Sequence, residues 1–226
     1  MAKGKLIVFE AGDGSGKETQ VMKAYERLKE LGYPVHHISY PDYNSESSAL
    51  VRMYLRGDFG SKAADVDAYA AATFYAVDRY ASYATKWKKW YEAGDIILAD
   101  RYIDSNTVHQ SVKIDDEHKQ DDFIVWIWDL EYAKFGLPIP DCTIFLDMPS
   151  DIAAKLIEQR SKAEQKDEDI HELDKDYLGK VHDAYADFAY RYGWKTVRCG
   201  EEGHPRPIEE IHEDVFAILR KIVEQK

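Results

Sequence analysis

Short apolar runs alternate with long helical stretches along this chain, and that alternation admits few architectures. Five runs have strand character: KLIVFE (5–10), PVHHISY (34–40), DIILAD (95–100), CTIFLD (142–147) and WKTVRC (194–199). Three are almost continuously apolar, which suits strands buried on both faces of a parallel sheet. Helical patterns lie between them. The first starts near Lys17 and stops around Gly32. SSALVRMYLRG carries apolar residues at helical spacing, with Gly57 as its stop. From Asp65 to Glu92, Val66, Tyr69, Thr73, Ala76, Tyr80, Ala84 and Trp87 recur every three or four residues, which predicts one packed stripe. Further helices are expected over 122–135, 151–160, 177–190 and 208–223. Alternation without repeat or linker predicts an α/β chain folded as one domain over all 226 residues. The stretch 161–176 is densely charged and lacks Gly and Pro, which places it on the surface as a mobile cover or a solvated helical segment.

The net charge is −12. Nucleic-acid binding draws most of its affinity from basic residues on phosphates, so DNA or RNA is not the expected partner. A local basic pocket for a small phosphorylated ligand stays open. Cys142 and Cys199 are too few for a disulfide framework and sit in strand-like runs, so both are expected buried and reduced. The apolar run LIVF is far shorter than a signal-peptide core, and no segment has membrane-spanning length. The expected location is the cytoplasm.

The first strand runs into EAGDGSGKETQ (10–20), and a helix follows. A phosphate-binding loop has Gly, four residues, Gly-Lys, then Ser or Thr, in this strand–loop–helix setting. Inward-facing N–H groups, the helix N-terminus and the lysine together cradle an anion. Gly16 and Lys17 are in place. Ala11 stands where the first glycine belongs, which is tolerable if its φ is negative. Glu18 replaces the hydroxyl that ordinarily binds Mg²⁺. It is expected to turn away, with water taking the vacated position, while Thr19 points about 100° away on the helix. The competing reading is an ordinary Gly-rich turn.

DRYIDSNTVHQ (100–110) completes a pattern that resembles the thymidylate kinase family of nucleoside-monophosphate kinases. The match runs through FEAGDGSGKETQ (9–20), YP (40–41), FYAVDR (74–79), ADRY (99–102), GLPIPDCTIFLDMP (136–149) and IEEIHEDV (208–215). The resemblance implies a three-layer P-loop kinase fold with a five-stranded parallel sheet flanked by helices and a charged lid over about 160–176. It implies ATP and Mg²⁺ as cofactors, dTMP as acceptor, and a homodimer.

Residue by residue, the resemblance places the ATP phosphates against Gly12, Asp13, Gly14, Ser15, Gly16, Lys17, Glu18 and Thr19, with Lys17 on the β- and γ-phosphates. Asp100 would help hold hydrated Mg²⁺, and Arg101 would hold the acceptor phosphate in line. Asp13 would reach the deoxyribose 3′-hydroxyl; a turn-stabilising contact is the alternative. Tyr75, where the family usually has Phe, would stack on the base, and Arg79 would bond its exocyclic oxygen. The two lie four apart on a face offset from the packing stripe, and core packing plus a surface ion pair is the alternative. Asn106 and Gln110 can read a pyrimidine edge, or be solvated amides.

Two departures from the family remain. Gly14 stands where many relatives have an arginine, so a lid cation is expected to act on the transferring phosphate, Arg160 first, then Lys162 or Lys166. Asp42 and Tyr43 follow the YP pair where many relatives have an arginine, so Tyr43 would donate to the acceptor phosphate and Arg52 would supply charge. Other readings are a kinase of another pyrimidine nucleotide or deoxynucleoside, and a catalytically silent nucleotide-binding protein.

Overall fold

The computed structural model describes residues 3–164 and 175–224. Five strands form the sheet: β1 (Lys5–Glu10), β2 (Val35–Ser39), β3 (Ile96–Asp100), β4 (Cys142–Asp147) and β5 (Lys195–Arg198). They lie in the order β2-β3-β1-β4-β5, every neighbouring pair parallel. β1 is central, with Ile7 opposite Leu98 on one side and Cys142 on the other. All five expected strands are present, two at the anticipated limits, two trimmed by one residue at each end, and β3 shorter by one residue at its start. A small antiparallel ribbon, β6 (Gly200–Glu201) with β7 (His204–Pro205), follows and carried no readable sequence signal.

Helices cover both faces: α1 (Lys17–Glu30), α2 (Ala49–Leu55), α3 (Ala68–Ser82), α4 (Lys88–Ala93), α5 (Ile103–Ser111), α6 (Glu117–Trp128), α7 (Ser150–Glu164), α8 (Lys175–Tyr192) and α9 (Ile208–Val223). The alternation of β1 shows the layers. Ile7 and Phe9 pack with Val21 and Leu28 of α1 and Leu219 of α9. Leu6 and Val8 face the other way, onto Trp87, Tyr91 and Leu137. Burial on both faces is why these strands read as unbroken apolar runs. Cys142 and Cys199 are buried free thiols, and burial pushes their pKa up to about 11 and about 12.

The long third helix departs from expectation. Asp67 caps α3, its carboxylate accepting from Tyr69 N at 2.9 Å, so the helix starts after Asp65 rather than at it. A π-helical turn over Tyr83–Trp87 separates α3 from α4. The buried residues of α3 are Ala68, Ala71, Ala72, Ala76, Asp78, Arg79 and Ser82. Of the anticipated stripe, Tyr69, Thr73, Tyr80 and Ala84 are exposed. Alanines make the inner face where α3 packs on α5 and on Phe123 and Ile127 of α6, and the Tyr69 ring lies at the edge of that contact, 5.1 Å from Phe123 and 4.7 Å from Trp126 between centroids.

α5 was missed altogether. Its sequence, IDSNTVHQS, is polar all round, yet all nine residues are buried. No tyrosine side chain caps its start. The carboxylate of Glu10 does so from β1, accepting from Tyr102 N at 2.9 Å and Ser105 N at 3.1 Å. Burial raises the pKa of Glu10 above 4.5.

Asp104, in the first turn of α5, is 6 % exposed, and burial pushes its pKa from 3.8 to about 8, with Glu10 adding to the rise. The unfolded chain therefore ionises between about pH 4 and pH 8 while the folded one does not. Stability attributable to Asp104 falls as pH rises through that window and reaches its full penalty above it. Asp104→Asn removes the penalty. Its unfolding free energy from urea titrations is expected to be close to the parent's near pH 4.5 and to exceed it at pH 8 by on the order of 2 kcal/mol. Parallel curves across that range would refute the assignment.

Candidate active site

Two adjoining clefts open at the C-terminal ends of the strands, where open α/β sheets bind ligands. The first follows the loop between β1 and α1, and every residue from Gly12 to Thr19 borders it. Gly14 and Gly16 adopt φ of 73° and 76°. A Cβ on Gly14 would come within 2.5 Å of Ala153 O and 2.8 Å of Ile157 Cγ1, because α7 crosses directly over the loop. No side chain fits there, so the cation that many relatives carry at this position has no place in this chain. Ala11 is fully buried beside the loop.

Lys17 forms an ion pair with Asp100 at the end of β3. Burial lowers the Lys17 pKa, and the neighbouring Arg101 charge lowers it further. Glu18 and Thr19 are exposed in the first turn of α1, and both border the groove. Glu18 lies close enough to favour the charged form of His37, against the larger opposing effect of that ring's burial. His37 Nε2 is buried without a hydrogen-bond partner.

Arg101 has φ 66°, the left-handed region that an arginine seldom occupies. Its N–H donates to Phe9 O at 3.0 Å. Nη1 donates to Ala11 O at 2.8 Å, and to Ser105 Oγ and Tyr185 OH at 3.0 Å each. Nη2 donates to Asp13 Oδ1 at 2.5 Å. Burial works against this cation, but Tyr185, Asp13 and Glu10 outweigh it and hold its pKa above the ordinary value. The side chain is thus fixed by three elements of structure, the β1–α1 loop, α5 and α8, at the junction of the two clefts.

The second cleft is bordered by Asp13, Tyr43, Tyr75, Arg79, Arg101, Asn106 and Gln110. Seven of the expected acceptor-site residues thus converge. Gln110 is fully buried, and neither of its amide atoms has a hydrogen-bond partner. Asn106 Nδ2 donates to Ala72 O at 3.0 Å and Glu131 Oε1 at 3.3 Å, leaving Oδ1 buried and unpaired. They are not solvated amides. Tyr75 is half-buried, with its ring edge-on to Tyr54 at 6.4 Å.

Arg79 is 2 % exposed and lies in the packed face of α3 rather than offset from it. Nε and Nη2 donate to the two oxygens of Glu131 at 2.6 and 3.0 Å, and Nη1 donates to Tyr102 O at 3.0 Å. The expected surface ion pair is a buried one. Arg52 is absent from the residues bordering either cleft. Its Nη1 reaches Tyr43 O at 2.9 Å, Ser45 O at 2.8 Å and Ser48 Oγ at 2.6 Å, which braces the loop that carries Tyr43. Lys166 and the rest of 165–174 lie outside the described residues, as do the side chains of Arg160 and Lys162.

The thymidylate kinase family model matches residues 9–215. The chain belongs to the thymidylate kinase family. The thymidylate kinase of Limosilactobacillus fermentum is 31% identical over 221 residues, 95% of each chain. That of Mycobacterium tuberculosis H37Rv is 28% identical over 191 residues, 84% of this chain and 87% of its own. A probable thymidylate kinase of Pyrobaculum aerophilum is 26% identical over 226 residues, 98% and 99% of the two chains.

Several residues shape this family member's site without having been anticipated. Glu131 anchors Arg79 and Asn106 together. Tyr185 on α8 steadies Arg101 from a position 84 residues away in sequence, beyond any local signal. Ser105 was legible in principle, since it stands four residues after Arg101. Glu10 was too, as a charged residue closing an apolar strand. His109 borders the second cleft, its Nδ1 3.2 Å from Tyr177 OH.

Proposed function

We propose that this chain transfers the γ-phosphoryl group of ATP to dTMP, giving dTDP and ADP. The observation that carries the acceptor assignment is the set of three unpaired amide atoms, Asn106 Oδ1 and both polar atoms of Gln110, buried beside Tyr75 and Arg79. A thymine ring offers an N–H donor beside carbonyl acceptors, so Gln110 can accept from that N–H through Oε1 and donate to a carbonyl through Nε2, and Tyr75 supplies a stacking face. Such a site rejects bases with the wrong edge, because they leave these groups unpaired.

The first cleft suits the donor. Loop N–H groups, the N-terminus of α1 and Lys17 receive the β- and γ-phosphates, with Lys17 exchanging Asp100 for phosphate oxygens. Among the described residues no group of three or more His, Cys, Asp or Glu could cage a metal. Mg²⁺ does not need one, since it keeps several waters and uses one or two carboxylates plus phosphates. Asp100 fits that role, with Glu18 bordering the same groove. Held there by Asp100, Mg²⁺ would offset the negative charge of the ATP phosphates. Arg101 holds the acceptor phosphate so that one of its oxygens faces the γ-phosphorus. The new P–O bond forms as the bond to the β-bridging oxygen breaks, and the electrons leave with ADP. Asp13 accepts from the 3′-hydroxyl. The lid cation remains assigned to Arg160, with Arg52 bracing the Tyr43 loop instead of touching phosphate.

The test is ADP release with Mg²⁺ and ATP across nucleoside monophosphates. dTMP is expected to give the highest kcat/KM, ahead of dCMP by at least about a hundredfold. Equal turnover of dCMP, or none with dTMP, overturns the assignment. Asn106→Leu together with Gln110→Leu should erase the preference.

The exposed stripe on α3 supports a homodimer. Tyr69, Thr73, Val77 and Tyr80 are exposed along one side of this helix, a mixed face that a second copy would cover. A second copy covering it would make this stripe a packed one after all. Light scattering is expected to give twice the mass of 26.1 kDa, and Val77→Glu with Tyr80→Glu to give the single-chain mass. A parent that scatters as a monomer refutes it. No helix among the described residues is long and apolar enough to cross a membrane; a cytoplasmic location belongs to this proposal.

A further inference from the structure

A third cavity lies away from both clefts and shares none of their lining residues. It reaches the opposite ends of the strands, where Cys142 and Lys195 begin β4 and β5. Four aromatic rings border it: Trp128, Tyr132, Tyr192 and Trp194. Trp128 and Tyr192 meet edge-on, with centroids 4.9 Å apart. Rings around an open space supply stacking faces for a flat ligand.

Two polar groups in the wall lack partners. Asp104 is 6 % exposed and borders the cavity, and its carboxyl makes no hydrogen bond to any described residue. Trp128 Nε1–H is buried, also unpaired. The buried indole donor is costly left open, and the Asp104 carboxyl at the cavity wall, with no side-chain partner, is placed to accept from a ligand there. Neither belongs to the core of the nucleotide site, and neither is needed for the reaction above. The raised pKa of Asp104 fits a carboxyl kept from water in this wall, and the same carboxyl helps raise that of Tyr132 beside it, after burial.

We propose that this cavity is a binding site for a neutral aminated nitrogen heteroaromatic ring, its exocyclic amine donating to Asp104 and a ring nitrogen accepting from Trp128 Nε1. Adenine- and cytosine-type rings share that chemistry. Thymine has no exocyclic amine, so the cavity is not a second copy of the acceptor pocket. An apolar ring alone would leave both wall groups unpaired. An organic cation would satisfy Asp104 but not the indole N–H, and would meet Lys195 at the rim.

The probe is 4-aminoquinazoline, read by tryptophan fluorescence and calorimetry on the whole chain. Saturable binding with one site per chain is expected, undisturbed by saturating dTMP. Quinazoline lacks the amine and 1-naphthylamine lacks the ring acceptors, and each should bind at least about tenfold more weakly. Asp104→Leu and Trp128→Phe each remove one wall partner and should weaken the probe by a similar factor while sparing dTMP binding. Trp128→Phe serves if the first variant does not fold. The proposal is overturned by displacement of the probe with dTMP, by control rings that bind equally well, by variants that keep full affinity, or by no saturable signal.

Discussion

Arg101→Ala is expected to lower kcat for phosphoryl transfer by about a thousandfold and to raise KM for dTMP. The side chain is held in one place before any ligand arrives. Its backbone occupies φ 66°, and five acceptors or partners fix the guanidinium: Ala11 O, Ser105 Oγ, Tyr185 OH, Asp13 Oδ1 and the nearby charge of Glu10. That arrangement aims the fork without reorganisation when the acceptor phosphate binds. Alanine removes the aim and the charge together, and it leaves Asp13 and the buried Glu10 without their cation. Arg101→Lys keeps a charge but cannot span these acceptors from a single nitrogen, so about a hundredfold loss is expected there. Initial rates at saturating ATP, beside thermal melts, make the comparison. A fall of less than about tenfold in a folded Arg101→Ala protein would remove Arg101 from the reaction.

A second large effect belongs to the loop. Gly14→Ala must adopt φ 73° and place a methyl 2.5 Å from Ala153 O. The left-handed backbone alone costs about 1–2 kcal/mol, and α7 must move to relieve the overlap. A loss of at least about 3 kcal/mol in unfolding free energy is expected, with nucleotide affinity falling too because the loop N–H groups shift. Two neighbours supply the scale. Gly16 has φ 76° but open space around its missing Cβ, so Gly16→Ala should show the backbone cost alone. Gly12 has open space and no positive φ, so Gly12→Ala should be nearly neutral in stability. Equal melting temperatures for the Gly14 and Gly12 variants would show that α7 does not press on the loop.

The strands were legible because a strand buried on both faces must be apolar throughout, and KLIVFE, DIILAD and CTIFLD are. The phosphate loop was legible because its chemistry is local: glycines, a lysine and a strand ahead of them. α5 escaped because its buried polar residues satisfy a ligand pocket and a capping carboxylate, so no apolar period marks it. The α3 stripe misled because spacing identifies a face but not its neighbour; Tyr69 and Tyr80 stay partly exposed at the edge, their rings against Phe123 and Phe135, while alanines take the inner face. Arg79 was expected offset from the packing because its partner, Glu131, lies 52 residues away. The convergence of Tyr75, Asn106 and Gln110 on one cleft was read from resemblance, and the open hydrogen bonds that give it meaning required coordinates.

The Arg79–Glu131 pair bears on how this lineage can change. Losing either member strands the other's charge in the interior, at about 3–5 kcal/mol, a large part of the margin by which domains stay folded. A mutation that retunes the base pocket through Arg79 would therefore unfold much of the population before a new substrate could be tried. Drift at this position has to proceed in coupled steps, and selection for nucleotide choice is bound there to selection for a surviving fold.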